Sequence, residues 1–319
     1  MGIMKKTQKR KHDFMLRYSS TINCRKCLSI SLSVDMMVRF AQLVNPDYNI
    51  YTRTGIKEGM PIPNQNAADR IVTDMLQDGH YIDFVETLVR IEREGYMGRR
   101  YDLKSLKNVV DNLIAEGYNF DKVSGQFFEN QHERISCNWG RLNEGDERKM
   151  AVLKVDIVDN SMLVKNNPRP KIEKAYNEIR DIVHHAVTSR LGRLWSWEGD
   201  GGIAVFLFGS MEKMSIFAAM EILHELFFYN LMRNPLDSPI NLRLGAHIGQ
   251  VWYSKNELER LKNETIKQAI IYEGLAAKNT LCVSYNLYIT MDQIVLNLFG
   301  AEKNDRGRKF RLYTAGLGK

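Results

Sequence analysis

Apolar residues recur every three to four positions through the first third of the chain, and every second position in several later segments. This change of period is the main organising signal. From Val34, the spacing of Met37, Phe40 and Leu43 predicts a helix, and 45–66, with Pro46, Pro61 and Pro63, reads as loop. Residues 67–93 place Ile71, Met75, Ile82, Phe84, Val85, Leu88 and Ile91 on one apolar face, with a break expected near Gly79. Asp102 is a candidate cap for a helix over 103–117 whose face carries Leu106, Val109, Val110 and Leu113, and Gly117 is a plausible stop. The pattern therefore predicts a helical domain over 29–118, then a linker over 119–147 that ends in polar, charged residues.

From Met150 the pattern becomes mixed. A strand over 150–158 is followed by a helix over 169–190 entered through Pro168 and Pro170. Strands 193–198 and 202–208 flank the turn of Gly199, Asp200, Gly201 and Gly202, a strong hairpin signal. A helix over 211–232 and an alternating strand over 240–249 complete the order βαββαβ. The predicted fold class is α+β: a ferredoxin-like, palm-type βαββαβ domain at 148–319 with additional C-terminal elements, preceded by the helical domain. The added elements are a helix near 267–278, a strand over 280–284, a helix over 286–298 and a strand over 309–313. There is no internal repeat and no low-complexity tract.

Charge alters this picture at one end. Of 45 Lys and Arg, eight precede residue 27, against one of the 38 acids, Asp13. That segment carries 8 − 1 = +7, the whole net charge, so the rest sums to zero. Residues 1–28 therefore read as a basic disordered tail, with nucleic-acid or anionic-membrane contact as the lesser alternative. Cys24 and Cys27 form a lone CxxC pair with no second ligand pair nearby, which supports neither zinc nor redox chemistry. No apolar run reaches the length of a membrane span and no signal peptide is read, so a reducing cytoplasmic location is expected.

The candidate chemistry lies in two carboxylates. Asp156 ends the first strand of the second block, and Asp200 caps the hairpin that should neighbour it. With the carbonyl of Ile157 they form an oxygen-donor set for two divalent metal ions, Mn2+ or Mg2+, bridging the phosphates of a nucleoside triphosphate. The turn over 158–162 is a further candidate for phosphate contact through its amides. Singly, an Asp at a strand end is more often a turn former; the pair carries the signal. Glu198, on the same hairpin, reads as a strand residue.

Residues 150–313 resemble the catalytic domain of class III nucleotidyl cyclases. The resemblance rests on the pair Asp156–Ile157, on Gly199–Asp200 44 residues on, and on a strand holding Arg243, Gly245, His247 and Gly249. It covers a little over half the chain and is specific as an ordered set. It implies that a ribose 3′-hydroxyl attacks the α-phosphorus and pyrophosphate leaves. It also implies a homodimer with sites at the interface, metal carboxylates from one chain facing base and transition-state residues of the other.

Other positions depart from that family. The pair that orients ribose and stabilises the transition state, Asn and Arg four apart, aligns with Gly274 and Lys278, so Lys278 is the candidate catalytic cation without the guanidinium fork. Arg306 aligns with the basic residue that meets the terminal phosphates. The two base-reading positions hold Ser196 and Lys267, and neither purine code is present. Trp197 and Trp195 flank Ser196; they would narrow a base site or, more plainly, form hairpin core. This combination resembles the pyrimidine cyclases of bacterial Pycsar anti-phage systems, which make cyclic UMP or cyclic CMP and activate a downstream effector. Adenylate cyclase activity and a catalytically dead nucleotide- or partner-binding module remain alternatives. A diguanylate cyclase would need a Gly-Gly-Asp-Glu-Phe hairpin that is absent. The basic tail alone carries no specific nucleic-acid reading.

Overall fold

The computed structural model describes residues 18–130 and 135–315, and the chain divides into two compact units, Met1–Glu133 and Arg134–Lys319. The first is mainly helical: α1 (Tyr18–Ser31), α2 (Val34–Gln42), α3 (Ile50–Thr54), α4 (Asn64–Gln77), α5 (Tyr81–Glu94) and α6 (Leu106–Ala115), followed by the hairpin β1 (Tyr118–Asp121) and β2 (Gln126–Glu129). Its core gathers Phe40, Ile71, Met75, Phe84, Leu88 and Leu113, residues that the helical period picks out. The break near Gly79 is present, because that residue takes φ +76° between α4 and α5.

Three expectations for this region need correction. Residues 18–28 are not a disordered tail but most of α1, with Cys24, Cys27 and Leu28 fully buried. Their i, i+3, i+4 spacing is an apolar stripe that the neighbouring Arg25 and Lys26 disguised in the charge count. Burial pushes both thiols far above the ordinary cysteine value, which suits packing rather than redox or metal chemistry. The rest of the expected tail, 1–17, lies outside the described residues. Second, 119–147 is not a linker: β1 and β2 pack Phe127 into the helical core, and Trp139 is fully buried in the second unit. There the Trp139 indole donates to the Leu191 carbonyl at 2.7 Å and lies under the Arg193 guanidinium. Third, Asp102 does not cap the sixth helix, which begins at Leu106 after Ser105.

The second unit runs β3 (Glu147–Ile157), α7 (Asn160–Asn166), α8 (Arg169–Thr188), β4 (Arg193–Glu198), β5 (Gly201–Phe206), α9 (Met211–Met232), β6 (Leu242–Trp252), α10 (Glu257–Arg260), α11 (Glu264–Gly274), β7 (Thr280–Ser284), α12 (Tyr285–Tyr288), α13 (Gln293–Leu296), β8 (Lys303–Asp305) and β9 (Arg308–Thr314). Its sheet has the order β4-β5-β3-β6-β7-β9-β8, parallel only between β6 and β7. The βαββαβ portion has its first strand between its third and fourth, the ferredoxin-like arrangement. The expected helix over 286–298 is instead two short pieces, α12 and α13, and α7, α10 and β8 had no sequence counterpart.

The sheet has two unlike faces. Leu153, Val155, Ile157, Ala204, Phe206, Leu244 and Ala246 form one core with Ile179 and Val183 of α8 and Ile216 and Leu223 of α9. The alternate residues face the other way, where α11 crosses β6, β3 and β7. Gly245 and Gly249 make that crossing possible. A Cβ at Gly245 would lie 2.1 Å from the Glu273 nitrogen, and one at Gly249 would lie 2.6 Å from Thr265 Oγ1.

Candidate active site

Strand register brings the two aspartates to the same place. Asp156 is paired with Gly201 on one side and Arg243 on the other. The Ile157 amide donates to the Asp200 carbonyl at 2.9 Å, which fixes the hairpin tip beside the end of β3. The N–H and C=O of one strand residue lie on the same edge, so the Ile157 carbonyl is also on the hairpin side. Gly201 must lack a side chain here, because a Cβ would meet the Val155 carbonyl oxygen at 2.6 Å and crowd Lys154 Nζ and Asp156 Oδ1.

Each carboxylate has its own support. Asn160, the first residue of α7, donates from Nδ2 to Asp200 Oδ2 at 2.5 Å, and the Tyr176 hydroxyl of α8 donates to Asn160 Oδ1. Burial, with the Asp200 charge nearby, pushes the Tyr176 phenol up to about 12, so it remains a donor at neutral pH. Asp156 is instead held by cations. Arg243 Nη2 donates to its Oδ2 at 3.0 Å, and Lys154 Nζ lies 3.7 Å from its Oδ1. Glu273 of α11 completes the group, its Oε1 2.8 Å from Arg243 Nε, close enough for an ion pair though not aligned as a hydrogen bond. Burial and the Asp156 charge hold the Glu273 carboxyl above its ordinary value, against the pull of Arg243 and Lys154.

The remaining candidates are scattered. Ser196 pairs with Ile203, and Ile203 with Lys154, so Ser196 lies in a cross-sheet row on the Asp156 face. Trp197 belongs to the opposite face: it pairs with Gly202, whose other neighbour is the core residue Val155, and its ring covers Gly202. Its expected place in the base site is therefore corrected to hairpin packing. Trp195 is core as well, donating from Nε1 to the Cys137 carbonyl at 2.8 Å beneath the Arg260 guanidinium. Lys278 Nζ reaches Asp159 Oδ2 at 2.6 Å, in the turn that follows β3, and both groups are exposed. Lys267 is exposed on α11 beside Glu264, and Arg306 is exposed in the β8–β9 turn at the far edge of the sheet. Neither is gathered to Asp156 within one chain.

The 158–162 turn also differs from the expected open cradle. It winds into α7; the Met162 amide bonds the Asp159 carbonyl and the Val158 amide bonds that of Asn241. Sequence reasoning missed Asn160, Tyr176 and Glu273, which act across 40, 16 and 30 residues. Lys154 left one legible signal, a charge two places before Asp156 inside the apolar run that starts at Met150. Among the described residues, no group of three or more His, Cys, Asp or Glu side chains is placed to hold a metal. Asp156 and Asp200 with one backbone carbonyl nevertheless form a hard oxygen set of the kind that shares Mg2+ or Mn2+ with a substrate's phosphates. No helix of the described residues is long and apolar enough to cross a membrane.

No family model and no curated protein matches this chain. Among solved structures it is similar to the guanylyl cyclase domain of the RhoGC fusion protein from the aquatic fungus Blastocladiella emersonii, at 13% identity, 53% of this chain, 97% of that chain and a TM-score of 0.46. It is similar to the guanylyl cyclase Cya2 at 15% identity, 56% and 96% coverage and a TM-score of 0.45. The adenylate/guanylate cyclase/hydrolase of Silicibacter pomeroyi gives 19% identity, 54% and 100% coverage and a TM-score of 0.45. The likeness assigns no residue of this chain a role.

Proposed function

We propose that the chain is a metal-dependent nucleotide cyclase that converts a nucleoside triphosphate to a 3′,5′-cyclic nucleotide and pyrophosphate. One observation carries this reading: Asp156 and Asp200 meet at the end of paired strands, locked by the Ile157-to-Asp200 backbone bond. The two carboxylates and the Ile157 carbonyl would hold two Mn2+ or Mg2+ ions, which when bound acidify the 3′-hydroxyl and neutralise the triphosphate. Asn160 and Tyr176 keep the Asp200 carboxylate aimed at that position. Arg243 and Lys154 add positive charge on the same face, suited to a polyanion. Lys278 is the candidate for the transition-state cation and Arg306 for the terminal phosphates. Arg306 and Lys267 are separated from Asp156 in one chain, which supports a homodimer whose partner chain completes each site.

A pyrimidine substrate, UTP or CTP, is favoured. Ser196 sits on the site face where the purine readers of the resembled family carry Lys or Glu. With Trp197 turned away, this preference rests on Ser196 and Lys267 and not on a narrowed pocket. The cyclic product would signal to a separate cyclic-nucleotide-activated effector, in the manner of the Pycsar anti-phage systems, inside the cytoplasm. A second reading, a catalytically dead binding module, draws on Gly274 and on the engagement of Lys278 with Asp159. Release of pyrophosphate from each of the four triphosphates with Mn2+ separates the two readings. Release abolished by Asp200→Ala supports the cyclase; nucleotide binding without release supports the module.

A further inference from the structure

Both oxygens of the Asp156 carboxylate already face positive charge. Arg243 takes Oδ2 at 3.0 Å and Lys154 stands 3.7 Å from Oδ1. The guanidinium is shared, with Glu273 Oε1 2.8 Å from its Nε. The group is partly sheltered: the Glu273 side chain is 8% exposed and that of Asp156 22%. Packing holds it in place, because Glu273 lies on the stretch of α11 pressed against Gly245, and Gly201 leaves room for the Lys154 and Asp156 side chains. Charges in such surroundings act on one another more strongly than on an open surface.

We propose that Arg243 occupies Asp156 in competition with the divalent cation, and that Glu273 is the second seat that retains the guanidinium when the carboxylate gives it up. This rests on the reading of Asp156 as a metal carboxylate. Two cationic groups within 4 Å oppose a doubly charged ion, so Oδ2 must be released before it can serve as a donor. A guanidinium left without any partner in a half-buried place would be costly. Glu273 removes that cost, because Arg243 needs only to shift between two carboxylates that it already touches. Arg243 and Glu273 thus act as positioning residues that set how readily the site loads. They would keep Asp156 closed to a stray cation until an ion arrives with its triphosphate.

The test is Mn2+ binding to the full chain without nucleotide, followed by the paramagnetic resonance of free Mn2+, with circular dichroism to confirm folding. Arg243→Gln should bind Mn2+ about tenfold tighter than wild type, the effect of removing roughly 1.4 kcal/mol of competition. Lys154→Met should shift binding in the same direction by less. Glu273→Gln should weaken binding several-fold, because Arg243 is then left with Asp156 alone. Weaker or unchanged binding in folded Arg243→Gln would overturn the proposal and make Arg243 a simple support for Asp156. If that variant does not fold, Glu273→Gln decides alone, and unchanged affinity there overturns the proposal. Binding that survives Asp156→Asn would mean that the site reading itself is wrong. Asp156-dependent binding that is merely insensitive to Arg243 and Glu273 would remove this inference and leave the cyclase reading standing. No Asp156-dependent binding in any variant, Arg243→Gln included, would remove both.

Discussion

Asp156 and Asp200 share a location but differ in support: the Asn160 amide, itself held by the Tyr176 phenol, donates to one, and cations hold the other. Asp156→Ala or Asp200→Ala is expected to lower turnover by about 10³-fold or more, with little loss of thermal stability, because neither carboxylate is buried in a core. Asn160→Ala should cost about 10–100-fold through loss of aim at Asp200. Full activity in either aspartate variant would contradict the metal assignment. His247 tests a different property. It is buried beneath α11, bonded through Nδ1 to Ser284 Oγ at 2.9 Å and stacked on Tyr272, and burial pulls its imidazole down to about 4. Its folded value lies below its unfolded one, so its contribution is complete above about pH 6.5 and is lost as pH falls towards 4. That amounts to roughly 3 kcal/mol at most. In urea unfolding, wild type should lose more stability than His247→Phe between pH 6.5 and 4, and parallel curves would refute the assignment. The aspartates were legible because strand period and a hairpin signal place them. Their supports were not, because no period links Asn160 to Tyr176 or Arg243 to Glu273.

At the scale of elements, the strand with Arg243, Gly245, His247 and Gly249 reads differently in three dimensions than as a motif. Its glycines are contact points for α11, and only Arg243 among these residues touches Asp156. Gly245→Ala should therefore destabilise the second unit by about 3 kcal/mol or more, since the added carbon meets backbone on both Glu273 and Ala269. Gly274→Ala, with nothing within 4 Å, should be tolerated and provides the control. Equal unfolding midpoints for the two variants would contradict this packing account. The β4–β5 hairpin teaches a related lesson. Sequence placed Trp197 beside Ser196, yet adjacent strand residues face opposite ways, and the pairing of Trp197 with Gly202 set from the hairpin tip puts its ring on the face opposite Asp156. The bulge between Leu194 and Ser196 changes the facing only of residues on its far side from the tip, Arg193 and Leu194.

At the scale of the whole molecule, the change from helical to strand period near Met150 correctly separated a helical first part from a sheet-bearing second part. The division itself falls earlier, between Glu133 and Arg134, because Trp139 belongs to the second unit and β1–β2 to the first. All candidate site residues lie in the second unit. A chain of 134–319 should therefore keep Asp156-dependent Mn2+ binding if it folds alone, as circular dichroism would establish first. Removing residues 1–28 should unfold the first unit, because it deletes Cys24, Cys27 and Leu28 from its core; a native-like helical signal after that deletion would contradict the placement of α1.

Identifying the product decides whether the chain cyclises a nucleotide. Purified protein would be incubated with Mn2+ and ATP, GTP, CTP or UTP in turn, with Asp200→Ala as the control, and the products read by mass spectrometry. Cyclic UMP or cyclic CMP from wild type and not from the variant is the predicted result. A cyclic purine would keep the cyclase and overturn the reading of Ser196. No cyclic product from any nucleotide, with nucleotide still bound, would contradict the account and leave a binding module in its place.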